Sequence, residues 1–510
     1  MHMASQSRRL GRSILMLGIG AALVLGSGFT SVWAALGPIT DQMITDAVED
    51  EIHHDSAISS ANLDVRTEDG IVTLSGLVHN LLAKTQATRI AETVKGVRAV
   101  VNQLHIKASP TLSDDAIRKD IEAALHLNPA TDPLEVDVQV QTGKATLSGT
   151  VQSWQEKQAV ARVAKGVKGV VGVDDRLQVR YPESRPDQEI QADIEHQLRW
   201  DVRVDHALIE VETQNGKVQL TGTVGSAAEK RAATVGAGVA GVKEIDVSGL
   251  KVEKWARDPA LRENKYVIKS NEDIRQAVAR ALQANPWVNA AQITPEVRNG
   301  RVTLRGAVTT LKAKRAAAQT ARNTVGVARV SNRIKVRTPQ AIRNDALAAD
   351  IRGALTRDPY VSRYGIEVEV DDGVAFLRGR VTSYFEKAQA EDAAASVRGI
   401  VAVQNHLRLL DRSTPLVYDP FVYEDWTVYD YPWYDYAPEI TWKRDAEIKQ
   451  DIEDEIWWSP FIDAGEITVA VADGVATLTG AVDSWSEWYA ASENAYEGGA
   501  RRVVNQIEVE

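Results

Sequence analysis

Apolar and polar residues alternate on both sides of Thr142-Gly143 in the stretch LEVDVQVQTGKATLSGTV. A period of two is the mark of a half-buried strand, and the break at Thr-Gly marks a tight turn, so the pattern predicts a β hairpin. Just upstream, in SDDAIRKDIEAALHLNP, the period changes: Ile117, Ile121 and Leu125 fall at i, i+4 and i+8, behind Ser113 as N-cap and ahead of Pro129. That is an amphipathic helix with its start and stop signals. Downstream, SWQEKQAVARVAKGV returns to helical spacing and VDDRLQVR closes the unit as a strand. The predicted order is α-β-β-α-β, an α+β unit with two helices on one face of a three-stranded sheet and the other face turned to water or a partner.

The same phrase occurs six times. GIVTLSGLV, GKATLSGTV, GKVQLTGTV, GRVTLRGAV, GVAFLRGRV and GVATLTGAV all fit G-x-[VA]-x-L-x-G-x-V. Their first glycines are Gly70, Gly143, Gly216, Gly300, Gly373 and Gly474, so successive spacings are 73, 73, 84, 73 and 101 residues. Their second glycines are Gly76, Gly149, Gly222, Gly306, Gly379 and Gly480, and all twelve are read as structural. A period this long is a small domain, and a single core stops growing near roughly 250 to 300 residues. The chain of 510 residues therefore divides into repeats at 40–107, 112–180, 186–253, 271–337, 343–409 and 443–510, with linkers at 254–270 and 411–442.

A second signature closes each unit, a glycine 25 or 26 residues after the first and then Asn or Asp six further on: Gly96 with Asn102, Gly169 with Asp175, Gly326 with Asn332, Gly399 with Asn405, and Gly499 with Asn505. Repeat 3 departs, with Val247 six after Gly241. The glycine suits a helix exit, and Asn or Asp can bond local backbone at the entry to the last strand.

The motif strand, the V-x-G-V-x-x-V-x-N segment, the unit length and the element order together resemble the BON domain (bacterial OsmY and nodulation), over nearly all of residues 40 to 510. The resemblance implies six tandem α-β-β-α-β sandwiches, export to a bacterial periplasm, a role in envelope maintenance or osmotic protection, and binding to phospholipid surfaces. The family is not known for enzyme activity.

Residues 1–34 read differently: a basic SQSRRLGR, an apolar SILMLGIGAALVLG and a small-residue end with Val32 and Ala34 at the positions a signal peptidase reads. This predicts a secretory signal cleaved after Ala34; the alternative is a retained membrane anchor, since 13–36 is almost long enough to span a bilayer. Both place the repeats outside the cytoplasm. The absence of cysteine excludes disulfides, thiol catalysis and cysteine-bound zinc. The net charge of -11 argues against general nucleic-acid binding.

Catalytic chemistry finds little support. His53 and His54 point about 100° apart on a helix, which does not suit a shared metal. Gly236, Gly238 and Gly241 match G-x-G-x-x-G, but they end a helix and enter a strand, the reverse of a dinucleotide site. Asp371-Asp372 sits in a hairpin turn that favours Asp for local reasons. No enzyme activity, cofactor or metal is expected.

Charge separates the repeats. Repeat 4 has 13 basic and 3 acidic residues, and repeat 6 has 5 basic and 15 acidic. In EVRNGRVTLRG the Asn299-Gly300 turn sets Arg298 across from Arg301, and with Val297, Val302 and Leu304 facing the helices, Arg298, Arg301 and Arg305 share the open sheet face. Like charges set opposite one another destabilise a hairpin, so this set is read as matching anionic headgroups or an acidic surface. The second helix adds Lys312, Lys314, Arg315 and Arg322 as candidates. The linker at 411–442 holds 10 aromatics and seven acids against one arginine. Tyr431, Trp433 and Tyr434 within it, with Trp457 and Trp458 beyond it, are candidates for a protein contact, since exposed Trp and Tyr suit interfaces.

Two functions follow. One is an exported envelope protein whose repeats bind anionic phospholipid surfaces, led by repeat 4; the other is a periplasmic scaffold whose repeats join envelope proteins. Self-association through basic repeat 4 and the acidic C-terminal region is a further expectation.

Overall fold

In the computed structural model the apolar stripe of each first helix is buried. Ile117, Ile121 and Leu125 of Asp114–Leu127 are 3%, 0% and 1% exposed, and Ser113 Oγ accepts from the Ala116 N–H at 3.2 Å, as expected of the N-cap. The structure describes residues 39–509, apart from 107–111, 258–268 and 410–443 and shorter gaps of up to four residues in loops. The signal or anchor at 1–34 lies outside the described residues. Among those described, no helix is long and apolar enough to cross a membrane.

Repeat 2 is representative. Strands Val136–Gln141 and Lys144–Val151 form the hairpin, helix Trp154–Lys165 follows, and strand Gly172–Val179 ends the unit. The last strand pairs parallel to the motif strand, Lys144 with Gly172 through Val151 with Val179, so the motif strand is central and the second helix is its crossover. In repeats 1, 3 and 6 the last strand is broken in two, and both pieces still pair with the motif strand. Alternate residues such as Ala145, Leu147 and Val151 face the helices and are 0%, 0% and 1% exposed. Each repeat has its own core of this kind.

The hairpin turns have positive φ at both central residues, including the β-branched Thr142 at φ 50. A side chain across the unit holds them. The Asp114 carboxylate, at the start of the first helix, accepts from the N–H groups of Thr142 and Gly143, both at 2.8 Å. Asp41, Asp187 and Asp445 do the same in repeats 1, 3 and 6. Repeats 4 and 5 carry Asn271 and Asn344 at this position.

The closing Asn or Asp acts inside the last strand rather than at its entry. Asn332 Nδ2 donates to the Lys314 carbonyl at 2.7 Å and its Oδ1 accepts from the Ile334 N–H, tying the strand to the second helix. In repeat 3 Asp246, not Val247, fills part of this role by accepting from the Ser248 N–H.

The repeats pack on one another in a definite pattern. Repeats 1, 2 and 3 close a ring of three: Leu81 packs on the core of repeat 2, Trp154 on that of repeat 3, and Ala227 joins that of repeat 1. Across the ring Glu92 meets Arg231 at 3.4 Å. One recurring contact then joins the first half of the chain to the second. The residue before an exit glycine donates its N–H to the carbonyl of the last residue of another repeat's first helix: Lys95 to Trp458 at 3.1 Å, Lys168 to Arg357 at 2.9 Å, and Val325 to Trp200 at 2.9 Å. The pairs are 1 with 6, 2 with 5, and 3 with 4, so the chain folds back on itself repeat by repeat. Trp458 and Trp200 pack against the cores of repeats 1 and 4.

Candidate functional site: the arginine face of repeat 4

In repeat 4 the strands Ile293–Arg298, Arg301–Val308 and Arg329–Val336 lie side by side. Val302, Leu304 and Ile334 point to the helices and are fully buried. The alternation therefore turns Arg298, Arg301, Arg305, Arg329, Arg333 and Lys335 to the open face, where all six are exposed. Register arranges them in rows: Arg298 opposite Arg301 and Arg301 beside Arg329, then Thr294 opposite Arg305 and Arg305 beside Arg333. Between these rows run Glu296, Thr303 and Ser331.

Glu296 is the one acid on these strands, and it reaches Arg305 at 3.3 Å with both side chains about half exposed. Arg298, Arg301, Arg329 and Arg333 make no ion pair with any described residue. Like charges opposed across a strand pair cost stability, and guanidinium groups present planar forks suited to phosphate or carboxylate. The face is thus charged against its own stability and open to an anion.

Arg329, Arg333 and Lys335 are not among the sequence candidates. Their signal was present in ARVSNRIKVR, but placing them on this face needs the parallel register of the last strand, which a single chain's alternation does not give.

The helix cations go elsewhere. Lys312 Nζ meets Asp392 at 2.8 Å and Arg315 Nη2 meets Glu391 at 2.7 Å, each side chain at 14–17% exposure, so these two join helix Leu311–Arg322 to helix Tyr384–Ser396 of repeat 5. Arg322 Nη1 donates to Gln319 Oε1 at 3.4 Å, and Lys314 is half-buried on the same helix. The structure brings Arg298, Arg301 and Arg305 together and separates them from Lys312 and Arg315.

Trp457 and Trp458 are placed within the chain, at the end of helix Asp445–Trp458. Lys95 Nζ lies 4.7 Å over the Trp457 ring and donates to the Trp457 carbonyl at 3.1 Å. They dock on repeat 1, not on basic repeat 4. Tyr431, Trp433 and Tyr434 lie outside the described residues.

The glycine-rich loop of repeat 3 follows helix Ala227–Gly236, and Gly238 is covered by the Trp154 ring while its carbonyl accepts from Gln155. Among the described residues no group of His, Asp or Glu is arranged to hold a metal ion.

A family described as the BON domain matches residues 40–108, 113–181, 186–254, 270–338, 343–411 and 444–510. The osmotically-inducible protein Y of Escherichia coli (strain K12) is 34% identical over 146 residues, covering 28% of this chain and 73% of that protein. The outer membrane lipoprotein DolP of Haemophilus influenzae is 30% identical over 179 residues, 32% of this chain and 91% of that one. Among solved structures, CdsD, a structural protein of the type III secretion system of Chlamydia trachomatis, matches 40% of this chain at 17% identity with a TM-score of 0.12.

Proposed function

The chain belongs to the BON domain family, and from that premise we propose that it is an exported, non-enzymatic envelope protein that binds anionic phospholipid surfaces through the arginine face of repeat 4, in support of envelope integrity under osmotic stress. Two relatives support the setting by their names, one osmotically inducible and one an outer membrane lipoprotein. The observation that carries the binding is the face itself: six exposed cations around a single carboxylate. It carries no aromatic or large aliphatic side chain on its open side. Binding is therefore electrostatic and peripheral, and it weakens with salt.

The test is flotation of the chain from residue 35 onward with phosphatidylglycerol vesicles against neutral ones across a salt series. The wild type floats with the anionic vesicles at low salt, and a variant with Arg298, Arg301 and Arg305 changed to Glu does not. Flotation of neither, or of both alike, rejects the reading.

A second reading, a periplasmic scaffold, draws on repeat 1. Its open face exposes Ile71, Val101 and Leu77 at 40%, 43% and 46%, a surface better suited to protein than to headgroups. Capture of an envelope protein that is lost on Leu77→Lys, with vesicle binding absent, favours it.

A further inference from the structure

We infer that the arginine face is bipartite and takes one headgroup bearing two phosphates on a hydroxylated spacer, of the class of a bisphosphorylated disaccharide glycolipid; this rests on the lipid-binding reading above. The first subsite is the row Arg298, Arg301 and Arg329 beside the hairpin turn. Adjacent strands lie about 4.8 Å apart, so these three guanidinium groups can converge on one phosphate. The second is the row of Arg305 and Arg333, with Lys335 two residues beyond on the same face. Arg301 to Arg305 and Arg329 to Arg333 are both four residues along a strand, which separates the rows by roughly 13 Å. One phosphate does not span that gap; two phosphates at the ends of a pair of linked pyranose rings do.

The row between them has no cation. Thr303 lies at its centre and Ser331 at one end, neutral hydroxyls able to bond a sugar, and Glu296 stands at the other end. A carboxylate there repels an anion laid across the middle, so a continuous run of negative charge is disfavoured and two separated charges are accepted. Glu296 also holds Arg305 at 3.3 Å, which orients that guanidinium before a ligand arrives. One molecule carrying both phosphates has the advantage over two independent phospholipids, because the second contact forms at the effective concentration set by the spacer.

The test compares neutral phosphatidylcholine vesicles doped with diphosphoryl lipid A, with monophosphoryl lipid A, or with phosphatidylglycerol at phosphate content equal to the diphosphoryl sample. Wild type is expected to bind the diphosphoryl vesicles about tenfold more tightly than either of the others, the advantage of a second charge-assisted anchor. The double variants Arg298→Gln/Arg329→Gln and Arg305→Gln/Arg333→Gln each lose that preference while still binding anionic vesicles weakly, and unchanged circular dichroism shows that they remain folded. Equal binding of diphosphoryl and monophosphoryl lipid overturns the inference. So does phosphatidylglycerol matching the diphosphoryl lipid, which would mean that two separate headgroups suffice; in both cases the phospholipid-surface reading survives. Binding to none of the three overturns both.

Discussion

Lys95 donates its backbone N–H to the carbonyl of Trp458 at 3.1 Å and its ammonium to the carbonyl of Trp457, 362 residues away in sequence. The same N–H to carbonyl contact joins Lys168 to Arg357 and Val325 to Trp200. What differs is the side chain that accompanies the accepting carbonyl: an indole at two sites and a guanidinium at the third. Burial pushes the Arg357 guanidinium below its usual range, while Asp120 and Asp350 oppose the shift.

Trp458→Ala is expected to loosen repeat 6 from repeat 1. The indole is half-buried against the core of repeat 1, so the cost is about 2 kcal/mol, below that of a fully buried aromatic. Hydrogen exchange should show the Lys95 amide losing protection while the amides of the central strand Ile71–Val78 keep theirs.

Asp114→Ala removes the acceptor for two turn N–H groups and costs about 1 to 3 kcal/mol in urea unfolding. The converse change, Asn271→Asp, supplies repeat 4 with the carboxylate that four other repeats use. It also places an acid at a helix N-terminus, so stability should rise by about 0.5 to 1 kcal/mol.

Arg315→Ala leaves Glu391 largely buried without this partner in the contact between repeats 4 and 5. A loss of about 3 kcal/mol is expected, toward the low end for breaking a buried pair. Vesicle binding should be retained, because the arginine face lies on the far side of the sheet from this helix. Arg301→Glu should show the opposite pair of outcomes, with stability kept and binding weakened.

Burial, helped by the nearby Asp392, pushes the Asp358 carboxyl up to about 7 against the opposing Tyr360 N–H and Lys312. Part of the residue reaches solvent, yet the carboxyl is enclosed and accepts from the Tyr360 N–H at 2.8 Å. The folded form therefore holds a proton that the unfolded chain releases near its ordinary value. Stability attributable to this group is present at low pH and falls as pH rises from about 4 to about 7. Asp358→Asn should flatten the slope of Tm against pH across that window; an unchanged slope would place the titration elsewhere.

The sequence by itself determined the repeating unit. Period two around Gly143 and period 3.6 around Ile121 are local consequences of strand and helix geometry, so they are written in adjacent residues, as is the opposition of Arg298 and Arg301 across a two-residue turn. The tertiary structure decided what depends on distant partners. The parallel register that sets Arg329 beside Arg301 follows from the crossover helix, and the Asp114 clamp on Gly143 joins positions 29 residues apart. The diversion of Lys312 and Arg315 to Asp392 and Glu391, and of Trp458 to repeat 1, depends on which repeats pack together. Side-chain type says that an aromatic or a cation needs a partner. Which partner it meets is fixed only when the other repeats have closed around it.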